Sequence, residues 1–236
     1  MPSLFVPVVG SLSDVLANRP APGRAGRLFV PTDDAFLFRD TGSAWQRIYR
    51  GLVCSDPPAV AALTWANQGG SVASTDAAGC LNLTVPASAT TAVRGLLTST
   101  PATPYTFTLG LSILMDMNGY YIAGLAQRQS GLDYWLIWGP GQTGNYNASS
   151  HTSANGNGSS VSTASPRQFG ASCFLRVRND GVNRTYSVSE NGVDFYDCFT
   201  QGATTFMTTD QVGVFGNSIN SRPINIRVFH WSLTQG

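Results

Sequence analysis

From Tyr105 to Met115 the chain alternates, Leu114 excepted. Tyr105, Phe107, Leu109, Leu111, Ile113 and Met115 fall on one side, and Thr106, Thr108, Gly110 and Ser112 on the other. Successive side chains of an extended strand point to opposite faces, so this run predicts a long antiparallel strand with one face in a core. A strand of that length needs partners, and the sequence supplies them. Asn118-Gly119 is a hairpin signal, after which Tyr120–Gln127 returns. Phe174–Arg178 and Thr185–Ser189 flank the turn Asn179-Asp180-Gly181-Val182-Asn183, and Asn191-Gly192 leads into Val193–Phe199. Gln211–Phe215 and Ile224–Leu233 complete the series, the last setting Ile224, Ile226 and Val228 against Asn225 and Arg227. Asp133–Gly139 (DYWLIWG) is apolar on both faces, which predicts a central strand or a subunit contact.

Regular strands with turn signals predict an all-β chain whose residues 52–236 form an antiparallel jelly-roll sandwich. The charged helix formers are nearly absent: all 14 basic residues are Arg, and Glu190 is the one Glu. The stretch Pro140–Pro166 breaks the rhythm. It is rich in Ser, Asn, Gly and Thr, and reads equally as a functional or mobile loop and as a polar edge hairpin.

Upstream, Gly26–Arg50 reads as three short strands, Arg27–Val30, Ala35–Arg39 and Ala44–Arg50, with turns at Thr32-Asp33-Asp34 and Asp40-Thr41-Gly42-Ser43. A meander this small is marginal alone in water, so residues 26–51 are expected to dock on something larger. Residues 1–25 carry Pro2, Pro7, Pro20 and Pro22 and are expected to run as an extended arm, with one short helical turn at Ser11–Asn18 stopped by Pro20. The first 20 residues lack a basic stretch before an apolar core and are not expected to be a signal peptide. No segment reaches the apolar length of a membrane span, so no membrane partner is expected.

Net charge is +1 and charged residues are 11% of the chain, which gives no electrostatic footprint for nucleic acid. No cofactor or metal is expected: Cys54, Cys80, Cys173 and Cys198 lack metal-ligand spacing, and no phosphate-loop or His/Cys/Asp cluster occurs. The cysteines are expected to be free thiols, Cys173 a buried one in phase with Leu175 and Val177. Sandwich glycosidases usually set two carboxylates about one sugar bond. Glu190 lies in a hairpin and the Asp residues fall mostly in turns; His151 lies in the polar loop and His230 in the last strand. A non-enzymatic protein is therefore expected, with no catalytic residues. Tyr120, Tyr121, Tyr134, Trp135 and Trp138 cluster in one stretch. Rings of this kind serve as sugar platforms and more often as core or interface, and Tyr120, Tyr134 and Trp138 are the candidate glycan-binding residues.

Arg27-Leu28-Phe29, Thr32-Asp33, Leu37-Phe38-Arg39-Asp40, Gly42 and Ala44-Trp45 together resemble a short module near the N-termini of tailed-bacteriophage virion proteins. Leu175-Arg176-Val177-Arg178-Asn179-Asp180-Gly181, Tyr186-Ser187-Val188-Ser189 and Asn191-Gly192-Val193-Asp194-Phe195 resemble a concanavalin A-like (laminin G-like) jelly roll found in the same class. The resemblance implies a homotrimer in the virion, assembled in the host cytoplasm, with the meanders packed about the axis. Phe36, Phe38, Trp45 and Tyr49 are the side chains expected at that contact. Other virion proteins of the capsid or tail would be its partners. A capsid decoration (cement or head-fibre) protein is favoured, because the chain lacks a long shaft. The alternatives are a tail fibre that binds host surface glycan, a carbohydrate-binding module of other origin, and a glycan-degrading enzyme.

Overall fold

Two units make up the chain, Met1–Val53 and Cys54–Gly236. A computed structural model describes residues 11–14, 18–23, 25, 27–31, 37–48, 57–114, 120–141, 145–164, 172–219 and 223–236.

In the first unit β1 (Ser11–Asp14), β2 (Leu28–Pro31), β3 (Leu37–Asp40) and β4 (Trp45–Ile48) form a four-stranded sheet in that order. β1 runs parallel to β2, and the other pairs are antiparallel. The helical turn expected from Ser11 is thus replaced by a strand over Ser11–Asp14. The physical reason is that one isolated helical turn is poorly stable, whereas β2 offers a ladder of backbone partners. The arm and the meander therefore belong to one unit.

The Asp40 carboxylate organises that unit. Its side chain is inaccessible and accepts hydrogen bonds from Gly42 N at 2.8 Å, Gly23 N at 3.1 Å and an Arg27 guanidinium nitrogen at 2.7 Å. Gly42 has φ +96°, a left-handed conformation that glycine adopts without strain. Trp45 Nε1 donates to Pro20 O at 2.7 Å, and its ring meets Phe29 edge-on at 6.0 Å. The Arg19 guanidinium lies 4.3 Å from the Phe38 ring centroid, a cation–π distance. Phe38 is 7% exposed within its own chain, so its burial needs no sister copy. Trp45 is half-buried by the same contacts. Phe36 and Tyr49 lie outside the described residues.

The second unit is a sandwich of two seven-stranded sheets. After a 3-10 turn at Val60–Ala62 come β5 (Thr64–Ala66), β6 (Val72–Thr75), β7 (Leu81–Val85), β8 (Arg94–Ser99) and β9 (Tyr105–Leu114). Next are β10 (Tyr120–Gln129), β11 (Tyr134–Pro140), β12 (Tyr146–His151), β13 (Ser159–Ala164) and β14 (Ser172–Asn179). β15 (Asn183–Ser189), β16 (Tyr196–Gly202), β17 (Gln211–Ile219) and β18 (Ile224–Gln235) complete it. One sheet has the order β13-β12-β11-β10-β17-β8-β5 and the other β16-β15-β14-β9-β18-β7-β6. Every pairing between named strands in these two sheets is antiparallel. The all-β jelly-roll architecture read from the alternation is the one found.

The main core lies between the sheets and takes one phase of each strand: Phe107, Leu109 and Leu111 from β9, Leu175 and Val177 from β14, Val228 and Trp231 from β18. A second apolar cluster on the outer face of the first sheet includes Val93, Leu97, Ile122, Trp135, Ile137, Ala154 and Phe215. Its presence explains why β11 is apolar on both sides: it is an interior strand whose second face is covered. The cover is the tip of the β12–β13 hairpin, so this part of Pro140–Pro166 is an edge hairpin. The hairpin tip is tied down by Val93 N to Ala154 O at 2.8 Å, Asn67 Nδ2 to Asn155 Oδ1 at 3.0 Å and Thr91 Oγ1 to Asn157 Oδ1 at 3.2 Å.

The thiol expectation is corrected for Cys80, which is disulfide-bonded. Cys173 and Cys198 are free, and burial pushes both up to about 11. Among the described residues no helix is long and apolar enough to cross a membrane.

Candidate functional site

The aromatic residues read as candidate sugar contacts separate in the structure. Trp138 has no accessible surface and lies in the core, with ring centroids of Phe199, Tyr146 and Tyr186 at 5.3, 5.6 and 6.3 Å. Its assignment as a glycan contact is corrected: alternation along β11 turns Leu136 and Trp138 between the sheets, and no ring face reaches solvent. Tyr120 begins β10, and its side chain lies outside the described residues. Tyr121 and Trp135 are buried.

Tyr134 is different. It opens β11 at one end of the sandwich, is half-buried, and stacks on Phe206 with centroids 5.2 Å apart and planes at 21°. Phe206, also half-buried, belongs to the segment joining β16 to β17 and has φ +71°. A bulky residue in the left-handed region pays roughly 1–2 kcal/mol against ordinary backbone. Such strain persists only where the surroundings over-determine the conformation.

Those surroundings are visible. Arg184, on β15 in phase with Tyr186 and Val188, is fully buried beneath this segment. Its guanidinium donates to Thr205 O at 2.5 Å, Gly202 O at 3.4 Å and Thr209 Oγ1 at 3.1 Å. A buried cation held by neutral oxygens is costly unless its bonds are well made, so Arg184 fixes the segment where Phe206 needs it. The far side is tied to β10 by Thr208 N to Gln129 Oε1 at 3.1 Å and Asp210 N to Arg128 O at 3.0 Å. Asp210 also accepts from Ser130 Oγ at 2.6 Å. Below lies a buried polar chain. Gln127 Nε2 donates to Tyr105 Oη at 3.0 Å, Tyr186 Oη donates to Gln127 Oε1, and Gln201 Nε2 reaches Tyr186 Oη at 3.4 Å. Burial raises the Tyr186 phenol, which therefore stays protonated as a donor.

The result is a pre-formed, half-buried aromatic pair at a loop end, packed from below against the main core. A flat π face of this kind suits the apolar C–H face of a sugar ring, and its fixed conformation lowers the ordering cost of binding. Phe206 and Arg184 were not anticipated from the sequence. The phase shared by Arg184, Tyr186 and Val188 is the signal that marks Arg184 as inward-facing. Phe206 has no comparable signal, because left-handed backbone is read from Gly and Asn. Among the described residues no group of three or more His, Cys, Asp or Glu side chains comes together to hold a metal.

Comparison with known proteins found no matching family model and no matching curated protein. Solved structures do match. A functionally unknown protein from Saccharomyces cerevisiae is 20% identical, with a TM-score of 0.56 over 76% of this chain and 99% of that one. The GH43 protein BlXynB from Bacillus licheniformis is 13% identical, with a TM-score of 0.51 over 67% of this chain and 33% of its own. A bifunctional GH43-CE protein of Bacteroides eggerthii is 12% identical, with a TM-score of 0.50 over 88% of this chain and 24% of its own. This chain thus spans a third or less of the two GH43 proteins. At these identities the likeness is one of fold, and a fold does not name an activity. It nonetheless corrects one expectation. The chain was expected to be no enzyme because paired carboxylates were missing, yet glycoside hydrolases contain sandwiches of this shape. The scarcity of Glu argues against one mechanism and leaves catalysis on this scaffold open. What the fold comparison establishes is a jelly-roll sandwich of two antiparallel sheets.

Proposed function

We propose that the protein is a surface component of a tailed-phage virion whose jelly roll binds host glycan at the Tyr134–Phe206 end, with its N-terminal unit serving attachment and trimerisation. The observation that carries the glycan reading is the stacked pair held in a strained backbone over a buried arginine. The phage reading is supported by the Gly26–Trp45 motif. Its members Arg27, Asp40, Gly42 and Trp45 make one connected set of bonds and stacks in the first unit. Capsid decoration is a second reading, favoured because only eight residues separate Ile48 from Pro57. That is too few for a fibre shaft between the two units.

Binding on a glycan array tests the first reading. Phe206→Ala and Tyr134→Ala are each expected to weaken binding by about tenfold or more, the scale of a central aromatic contact. Their circular-dichroism spectra should remain those of the wild type. Wild-type affinity in both variants would remove the platform from the reading. Copy number per particle separates fibre from decoration: a handful against hundreds. Light scattering on protein lacking residues 1–51 is expected to show monomers where the full chain is trimeric; a truncated trimer would move assembly to the jelly roll.

A further inference from the structure

The outer face of the sheet containing β14 carries a second feature, independent of the loop end. Register aligns two rows across five strands. The first is Ser232, Thr108, Arg176, Ser187 and Asp197; the second is Thr234, Thr106, Arg178, Thr185 and Thr200. Neighbouring strands lie about 4.8 Å apart, so each row is roughly 19 Å long. Most positions carry hydroxyls, and an arginine stands at the centre of each row; Thr185 and Ser187 on β15 are buried, while Thr106, Thr108, Ser232 and Thr234 on β9 and β18 reach solvent. Side-chain bonds confirm the shared face: Thr185 and Thr200 hydroxyls lie 3.1 Å apart, and Ser187 Oγ donates to Asp197 Oδ1 at 2.6 Å.

The two arginines are only lightly engaged. The Arg176 guanidinium carbon lies 3.8 Å from the Phe195 ring centroid, a close cation–π distance. The Arg176 side chain is only 23% exposed, yet its Nε is buried with no hydrogen-bond partner. Asp197 Oδ1 pairs with Arg176 at 3.9 Å, an ion-pair distance beyond hydrogen-bond range, and accepts a hydrogen bond from Ser187 Oγ at 2.6 Å. Arg178, two residues along and exposed, makes no hydrogen bond or ion pair with the described residues; Asp180 beyond it is bonded to Val182 N and Asn183 N. Burial and the neighbouring Arg178 charge both disfavour the Arg176 cation, against the pull of Asp197. A half-buried guanidinium paired only at ion-pair distance, with its Nε unmet, has capacity left for a further acceptor at its outer nitrogens.

The geometry points to this face as a binding site for a carboxylate-bearing polysaccharide, with Arg176 as the carboxylate fork, Arg178 as a second charge and the accessible hydroxyls of Thr106, Thr108, Ser232 and Thr234 as partners for sugar hydroxyls. A planar guanidinium matches a carboxylate through two parallel bonds, and contact with Phe195 limits its freedom in advance. The inference goes beyond the loop-end reading and does not depend on it.

The test is binding of the full-length protein to polygalacturonate, with its methyl ester and dextran sulfate as companions. Polygalacturonate is expected to bind, more weakly as salt rises, and the uncharged ester not to bind. Arg176→Gln should weaken binding about tenfold or more and Arg178→Gln several-fold, while Val72→Ala, at an exposed position on β6 outside both rows, leaves it unchanged. The inference is overturned by no binding to polygalacturonate, by wild-type affinity in Arg178→Gln, or by an equal loss in Val72→Ala. Binding of dextran sulfate alone overturns the carboxylate assignment. If Arg176→Gln does not fold, the exposed Arg178→Gln decides.

Discussion

Replacing Trp138 with alanine is expected to destabilise the sandwich by about 3–5 kcal/mol, a fall in melting temperature of roughly 6–20 °C for a domain of this size. The cost comes from the cavity. Trp138 is fully buried, and its indole is enclosed by Phe199, Tyr146 and Tyr186 from three other strands. Tyr186 and Phe199 stack on each other with centroids at 4.3 Å, so the hole would open beside a rigid pair that collapses poorly. Trp138→Phe should lose much less. It keeps most of the ring and removes an indole Nε1 that is buried without a hydrogen-bond partner. Thermal denaturation followed by circular dichroism reads both variants. An alanine variant that melts like the wild type would contradict the burial of Trp138 and return it to the list of surface candidates.

Trp138 also shows where the sequence was legible. The alternation of β9, β14 and β18 is a local property, and the core residues it nominates are those that meet between the sheets. Apolar character on both faces of β11 is local too, but its cause is not. The cover over Trp135 and Ile137 is a polar hairpin tip around Ala154, whose sequence carries no sign of what it closes on. The same limit applies to Ser11–Asp14. Strand β1 exists because β2 lies beside it, and single-sequence propensity does not contain that partner. The Gly26–Trp45 motif was legible as a unit, but the cover that Arg19 and its own sheet give Phe38 was not. At the loop end Tyr134 was nominated by type alone. What makes it a platform is a phenylalanine held in a backbone conformation its side chain opposes, a tertiary outcome fixed by Arg184.

Asp133 holds the hairpin tip in place, and its removal has the second large effect. Its Oδ1 accepts from Arg128 at 2.9 and 3.1 Å and from Trp135 Nε1 at 2.9 Å, while its Oδ2 accepts from Ala154 N at 2.9 Å. Asp133→Ala strips the partner from donors at the rim of a buried apolar cluster, each costing about 1–3 kcal/mol when left unmet. It also places alanine at φ +54°, which Asp and Asn tolerate better. A loss of about 3 kcal/mol is expected after allowing for the partial exposure of Asp133, with Asp133→Asn losing about half of that. The response to acid follows from the same tip. Burial pushes the Asp133 carboxyl up, but the Ala154 N–H, the Trp135 N–H and Arg128 outweigh it and hold the group below its ordinary range. Its contribution is present above about pH 3.9 and is lost as pH falls through the lower folded value. His151, at the end of β12, is pushed down by burial, partly offset by its bond to Gly156 O. Its Nε2 is buried without a partner, so a second ring proton has no acceptor. The native state therefore binds fewer protons than the unfolded chain here as well, and stability from this group declines as pH drops below about 6.5. Melting temperature measured from neutral pH downward is expected to fall in two stages. His151→Gln should flatten the upper one and Asp133→Asn the lower. A wild-type curve that stays level between about pH 7 and pH 5 would show that His151 is not held as a buried neutral ring.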